Sequence, residues 1–315
     1  MKKVFVTLSI LALSHSAFAL EQMNDQDLAS QTGQDGITIK LGVSAVAFDQ
    51  VSLIDTDGMT GATGSAALVI APLVKPTATG GSTQINFLNA GGTAVNNLFT
   101  ATIDSDGGAV SSDAFANINL AFSELKKITI DPFAIYLAPT TNNSRTIGSV
   151  GSVFGSGTTL RAGVSKLLQI GSGTEKLTVN FKDALGVNIQ LGNAPQGHLV
   201  TLSGSLQSIN IPKIKIFSNN AGATSSLSLD AELKATNAST GVSLGGFYVD
   251  VVPGGLNFGK TGTTDKFDLT LNNVVAGEIG VSDPNTFNGL KNGPMGNFGM
   301  VGASVTNLKV NVKGM

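Results

Sequence analysis

Residues 177–191 read Leu177-Thr178-Val179-Asn180-Phe181-Lys182-Asp183-Ala184-Leu185-Gly186-Val187-Asn188-Ile189-Gln190-Leu191. At both ends an apolar residue alternates with a polar one: Leu177, Val179 and Phe181, then Val187, Ile189 and Leu191. Side chains of an extended chain point to opposite faces of a sheet in turn, so this period of two places the apolar set on one face. A helix would scatter the same residues around its axis. The stretch predicts strands with one buried side.

The same alternation recurs along the chain. It is present in Ile37–Val43, Ile118–Phe122, Ile209–Ile211, Ile214–Ile216, Leu227–Leu229, Leu269–Leu271 and Leu308–Val312. Turn pairs separate these runs, among them Asp57-Gly58, Gly80-Gly81, Gly91-Gly92, Asp106-Gly107, Asn219-Asn220 and Pro253-Gly254-Gly255. Glycine accepts positive φ at no steric cost, and Asn and Asp tolerate it. No amphipathic helix of crossover length lies between the runs, so the pattern suits hairpins rather than βαβ units. The expected fold is all-β: an antiparallel sandwich or elongated β meander with a short N-terminal helix. The calcium-binding G-G-x-G-x-D repeat is absent and similar strands recur at unequal spacing, which disfavours a regular solenoid.

The N-terminal segment sets the expected compartment. Lys2 and Lys3 precede an apolar run from Val4 to Leu13, and Ala17-Phe18-Ala19 has the small-residue cleavage pattern of a secretory leader. The run is shorter than the roughly 20 residues that span a bilayer. Residues 1–19 are therefore read as a signal peptide, with no transmembrane helix after its removal. Losing Lys2 and Lys3 takes the net charge from −2 to −4, which gives no steering toward nucleic acid. Zero cysteines exclude disulfides and thiol chemistry.

Residues 20–36 read as a short helix and turn. Asn24 can cap, Asp25 and Asp27 suit the positive first turn, and Gly33 ends the helix. Residues 37–315 then form the β-rich domain, with a candidate subdivision near 139–157, where Gly, Ser, Asn and Thr are dense. Asn285–Gly302 has the same composition and reads as a long exposed loop.

Motifs that carry chemistry are sparse. Gly241-Val242-Ser243-Leu244-Gly245 matches the G-x-S-x-G nucleophile elbow, but that turn needs a following helix and a histidine later in the chain. The one histidine beyond the leader, His198, precedes it in a Pro/Gly loop and has no second His or Cys with which to build a metal site. Gly148–Gly151 and Gly155–Gly157 lack the Gly-Lys-Ser/Thr of a phosphate loop. Asp55-Thr56-Asp57-Gly58 and Asp104-Ser105-Asp106-Gly107 can aim oxygen ligands at Ca²⁺, so Asp55, Asp57, Asp104 and Asp106 are weak calcium candidates. As hairpin turns they need no metal. No catalytic or cofactor-binding residue is nominated, and the chain reads as a contact protein rather than an enzyme. With no Trp and only Tyr136 and Tyr248, the aromatic girdles of an outer-membrane barrel are missing.

Leu20-Glu21-Gln22-Met23-Asn24-Asp25-Gln26-Asp27-Leu28, leading into Thr32-Gly33-Gln34-Asp35-Gly36-Ile37-Thr38-Ile39, resembles the start of a family of exported β-rich proteins of Gram-negative bacteria. That family includes the A-type protein of the Fil pilus system. A second block, Val187–His198 through Leu202-Ser203-Gly204-Ser205, is similar to the same family. The resemblance implies a surface or pilus-associated role and carries over no catalytic residue. The expected function is that of an exported structural or adhesive component of a pilus or cell-surface filament, located in the periplasm, at the outer membrane or outside the cell. Its expected partners are other surface-assembly proteins, or further copies joined through unpaired sheet edges, whose free N–H and C=O groups accept a strand. The alternative is a periplasmic or outer-membrane-associated lipid- or glycan-binding β protein, which would carry a continuous apolar cleft.

Overall fold

The computed structural model describes residues 36–55, 65–77, 80–107, 114–140, 150–220, 223–282 and 290–313. The expected leader and N-terminal helix lie outside them. Among the described residues every regular element is a strand, so no helix is long and apolar enough to cross a membrane, a statement that leaves β-barrels aside.

Nineteen strands form one sheet and two form a small hairpin. The sheet is an antiparallel meander of eight columns that run up and down in chain order. Column one contains β1 (Ile37–Leu41), β2 (Ala45–Phe48) and β3 (Val51–Asp55). Column two contains β4 (Ala66–Pro72), β5 (Thr83–Leu88) and β6 (Phe99–Asp106), and column three contains β7 (Phe115–Phe122), β8 (Lys127–Ile130) and β9 (Phe133–Pro139). After the hairpin of β10 (Phe154–Ser156) and β11 (Thr159–Leu160), column four holds β12 (Ser165–Ile170) and β13 (Leu177–Gly192). Column five is the single strand β14 (Val200–Asn220). Column six contains β15 (Ala223–Ala235), β16 (Val242–Ser243) and β17 (Phe247–Val252). Columns seven and eight contain β18 (Gly255–Lys260) with β19 (Phe267–Ala276), and β20 (Gly296–Ala303) with β21 (Lys309–Val312).

The columns are far longer than ordinary strands. At about 3.3 Å per residue, β14 alone extends roughly 70 Å. Its pairings divide the sheet into three tiers. The N-terminal part of β14 pairs with β13 and β17, its centre with β13 and β15, and its C-terminal part with β12 and β15. On the near side, the lower tier continues through β7 and β6 to β1, the middle through β8 and β5 to β2, and the upper through β9 and β4 to β3.

Long columns need local relief, and bulges supply it. The register of β14 on β15 shifts between Ile211 and Ile214, across Pro212 and the left-handed Lys213 (φ 51°). In column seven Asn273 is also left-handed (φ 54°), beside the shift between Leu271 and Val274. Asp230 of β15 lies between the two. Its carboxylate accepts hydrogen bonds from the Lys213 backbone N–H (2.7 Å) and from Asn273 Nδ2 (2.6 Å).

The densest packing is a cap on the upper tier. Val150, Val153 and Phe154 cover Val69 and Tyr136, with Ala67, Ala71, Ala134 and Ala138 leaving room beneath them. Phe154 meets the edge of Tyr136 at 5.8 Å, and the Tyr136 hydroxyl donates to the Pro72 carbonyl at 3.0 Å. Arg161 holds the cap to the sheet through the carbonyls of Val150, Ser152 and Pro139. Burying Val150, Val153 and Phe154 stabilises this junction by about 1.5–3 kcal/mol each before ordering costs. The Gly/Ser-rich stretch near 139–157 thus ends in a packed hairpin, and β9 and β12 on either side of it are paired neighbours.

Of the two expected architectures, the elongated meander is the one observed, and one expectation needs revision. Asn285–Gly302, read as an exposed loop, includes the edge strand β20, because Phe298 and Met300 pair with Leu271 and Leu269 despite Gly296, Gly299 and Gly302. Cross-strand apolar pairs outweigh the low strand propensity of glycine here.

Candidate interaction face

In each tier one register row of apolar side chains runs across seven or all eight columns. The lower row runs Ile37–Ile103–Ile118–Ile189–Val200–Val249–Phe258–Val310, through all eight columns. The middle row runs from Phe87 through Ile128, Val179, Ile209, Leu233 and Leu269 to Met300. The upper row runs from Val51 through Ile70, Ile135, Leu168, Ile216 and Leu227 to Ala276. Neighbouring rows are polar. Thr38–Thr102–Asn119–Asn188–Thr201–Tyr248–Gly259–Lys309 crosses the lower tier, and Asn86–Thr129–Thr178–Asn210–Glu232–Thr270 crosses the middle.

The three apolar rows share one face. Leu227 and Leu233 lie in one unbroken strand at even spacing, which joins the upper and middle rows. Counting register steps through the bulges of β14 puts Leu202, Leu206 and Ile209 on one side, which joins the middle and lower rows. Ile70 and Ile135 belong to this face, whereas Val69 and Tyr136, under the cap, point the other way. The cap therefore sits on the mainly polar side. No residue of the three apolar rows is fully buried; most are half-buried and the rest exposed.

Exposure is greatest at the two outer columns. Ile37 is 65% and Leu53 59% exposed in column one, and Phe298 is 52% and Val310 45% exposed in column eight. Monomeric proteins rarely leave contiguous apolar patches beyond a few hundred Å². A face eight columns wide exceeds that scale. Among the described residues, columns one and eight pair only with their inner neighbours, so each outer edge presents free backbone N–H and C=O groups.

The polar face gathers its side chains into local networks. The loop after β13 folds back over it, and Gln196 is the hub. Gln196 accepts from Asn188 (2.8 Å) and Thr201 (3.0 Å), donates to the His198 carbonyl (2.7 Å), and its backbone N–H donates to Gln190 (2.9 Å). His198 then fastens the loop to column six. Its Nδ1 lies 2.8 Å from Asp250 Oδ2, and its ring stacks on Tyr248 with centroids 3.7 Å apart. Burial pushes the Asp250 carboxyl up, but hydrogen bonds from the Leu199 N–H and His198 outweigh it and hold the group below the usual carboxylate range. Tyr248 in turn covers Gly259, where a Cβ would run into the phenol ring. Tyr248 and Asp250 alternate with Val249 and Val251, so their shared polar side was legible; their contact with His198 was not.

The residues nominated from sequence are dispersed. Ser243 lies in the two-residue strand β16, and β17 follows it where an elbow needs a helix. Its N–H donates to Asp265 (2.8 Å) and its Oγ accepts from Gly245 (3.1 Å), whereas the partners of His198 are Asp250 and Tyr248. Asp104 and Asp106 line an open hollow of about 270 Å³ with Phe115, Asn117 and Gln190. Asp55 ends β3 in the upper tier, and Asp57 lies outside the described residues. Among the described residues no three His, Asp or Glu side chains gather where they could hold a metal ion.

Residues 1–123 match the sequence model of a family described as a family of unknown function (DUF6160). Within the described residues this stretch comprises columns one and two and β7. No curated protein and no solved structure gives a match.

Proposed function

We propose that the protein is an exported structural component of a cell-surface assembly and works by contact rather than by chemistry. The observation that supports this most is the apolar face, with an apolar row across seven or eight columns in every tier and, among the described residues, two outer edges without a strand partner. Such a surface gains roughly 25 cal/mol for each Å² of apolar area that a partner removes from water. The secretory leader read at residues 1–19 supports a location beyond the inner membrane, and the resemblance to pilus-associated proteins makes a surface filament or its assembly machinery the expected setting. Cell fractionation and electron microscopy of an epitope-tagged strain test the reading. Tagged protein at the outer membrane or on surface fibres supports it; retention inside the inner membrane, or unchanged fibres and adhesion after deletion, overturns it.

The same face supports a second reading, the binding of lipid. A continuous apolar surface accommodates acyl chains as readily as protein side chains. Flotation of the purified protein with phospholipid vesicles separates the two. Co-flotation favours lipid, and a protein that stays at the bottom of the gradient favours protein contacts.

A further inference from the structure

We propose that copies of this chain join head to tail, with column eight of one copy pairing with column one of the next. The inference rests on the surface-assembly reading and adds a specific partner and register to it. An even number of columns leaves the two edges running in opposite directions. Column one climbs from β1 to β3, and column eight descends from β20 to β21. A second copy placed beside the first in the same orientation therefore continues the antiparallel order, and the lower and middle tiers meet their own tiers.

The register rows show which residues face each other. The lower apolar row begins at Ile37 and ends at Val310, and the polar row beside it begins at Thr38 and ends at Lys309. In the middle tier a further row begins at Ala45 and ends at Gly299. In the lower tier, extending the rows into a second copy sets apolar Ile37 beside Val310 and polar Thr38 beside Lys309. The apolar face then continues across the junction, covering part of the exposed flank of Ile37 and Val310.

Neither edge carries proline or a cluster of charge against such pairing. Edge strands are commonly protected by proline, clustered charge or extreme shortness. The strands of columns one and eight contain no proline, and their charged residues are Lys40, Asp55 and Lys309. Heterologous contacts of this kind, where the rotation between copies does not close a ring, build open filaments.

The chain has no cysteine, so a paired disulfide gives an unambiguous test. A full-length chain carrying both Thr38→Cys and Lys309→Cys, exported and mildly oxidised, is expected to give a ladder of covalent multimers on a non-reducing gel. Thr38→Cys and Lys309→Cys mixed as single variants should give a dimer and nothing larger. Ala45→Cys with Gly299→Cys provides the same test in the middle tier, should one pair disturb folding. A dimer from Thr38→Cys alone, a monomer closed on itself, or no cross-link from either pair overturns head-to-tail joining. Failure here with the protein still on surface fibres removes only this inference. Failure with the protein retained inside the cell removes the proposed function as well.

Discussion

The carboxylate of Asp230 in column six accepts a hydrogen bond from the backbone N–H of Lys213 in column five, 2.7 Å away, and so supports a residue held at φ 51°. A non-glycine residue in this region is strained by about 1–3 kcal/mol unless its surroundings fix it. Asp230 also receives Asn273 Nδ2, so one side chain supports the bulges of both neighbouring columns. Asp230→Ala is expected to lower stability by about 1–3 kcal/mol, read as a drop in the urea midpoint.

The same carboxylate has a pH signature. Burial raises its pKa, but the Lys213 N–H, Asn273 and the Lys213 charge outweigh that and leave it depressed. A depressed folded pKa means stability that is fully present above the unfolded value and lost as pH falls through the folded one. The difference in urea midpoint between the natural chain and Asp230→Ala should therefore be largest near neutrality and shrink as pH falls below the ordinary aspartate value of about 3.9. A difference that stays constant on acidification well below that value would refute the assignment.

Gly259→Val tests the junction between His198 and column six. The added side chain would occupy the place of the Tyr248 ring and displace it from the imidazole. Overpacking of this kind costs about 1–3 kcal/mol. Near-ultraviolet circular dichroism should lose much of its tyrosine signal, since the chain has two tyrosines and no tryptophan.

Burial under the cap pushes the Tyr136 phenol up to about 12. In a Tyr248→Phe variant Tyr136 is the sole tyrosine, and ultraviolet titration should show no ionisation near the ordinary value of about 10. Ionisation at that value would place Tyr136 in water and remove the cap from the fold.

Aspartate placed in the middle apolar row, at Ile209 or Leu233, should reduce binding of a hydrophobic dye without changing far-ultraviolet circular dichroism. Both side chains lie on the uncovered face, so the charge meets solvent rather than a packed interior. Loss of the folded spectrum would mean that something buries this face in the isolated chain.

Much of the fold was legible because period-two alternation survives in almost every column. Leu177, Val179 and Phe181, with Val187, Ile189 and Leu191, define the apolar side of column four directly. What alternation could not give was continuity across bulges. Ile209–Ile211 and Ile214–Ile216 read as separate strands, yet they are one strand because Asp230 stabilises the irregular step at Lys213. The glycines of β20 concealed a strand whose support comes entirely from column seven. The interaction face was the least legible part, since it depends on register between segments far apart in sequence, such as Ile37 with Ile103 and Phe258 with Val310.

Among the described residues every column pairs only with those before and after it in chain order. Stability in such an array is close to a sum of neighbour terms, as in repeat proteins, and does not come from one central nucleus. The sheet can thus grow by accretion as the polypeptide emerges, each new column laid on a finished one. Its terminal columns, supported from one flank only, will open first in hydrogen exchange.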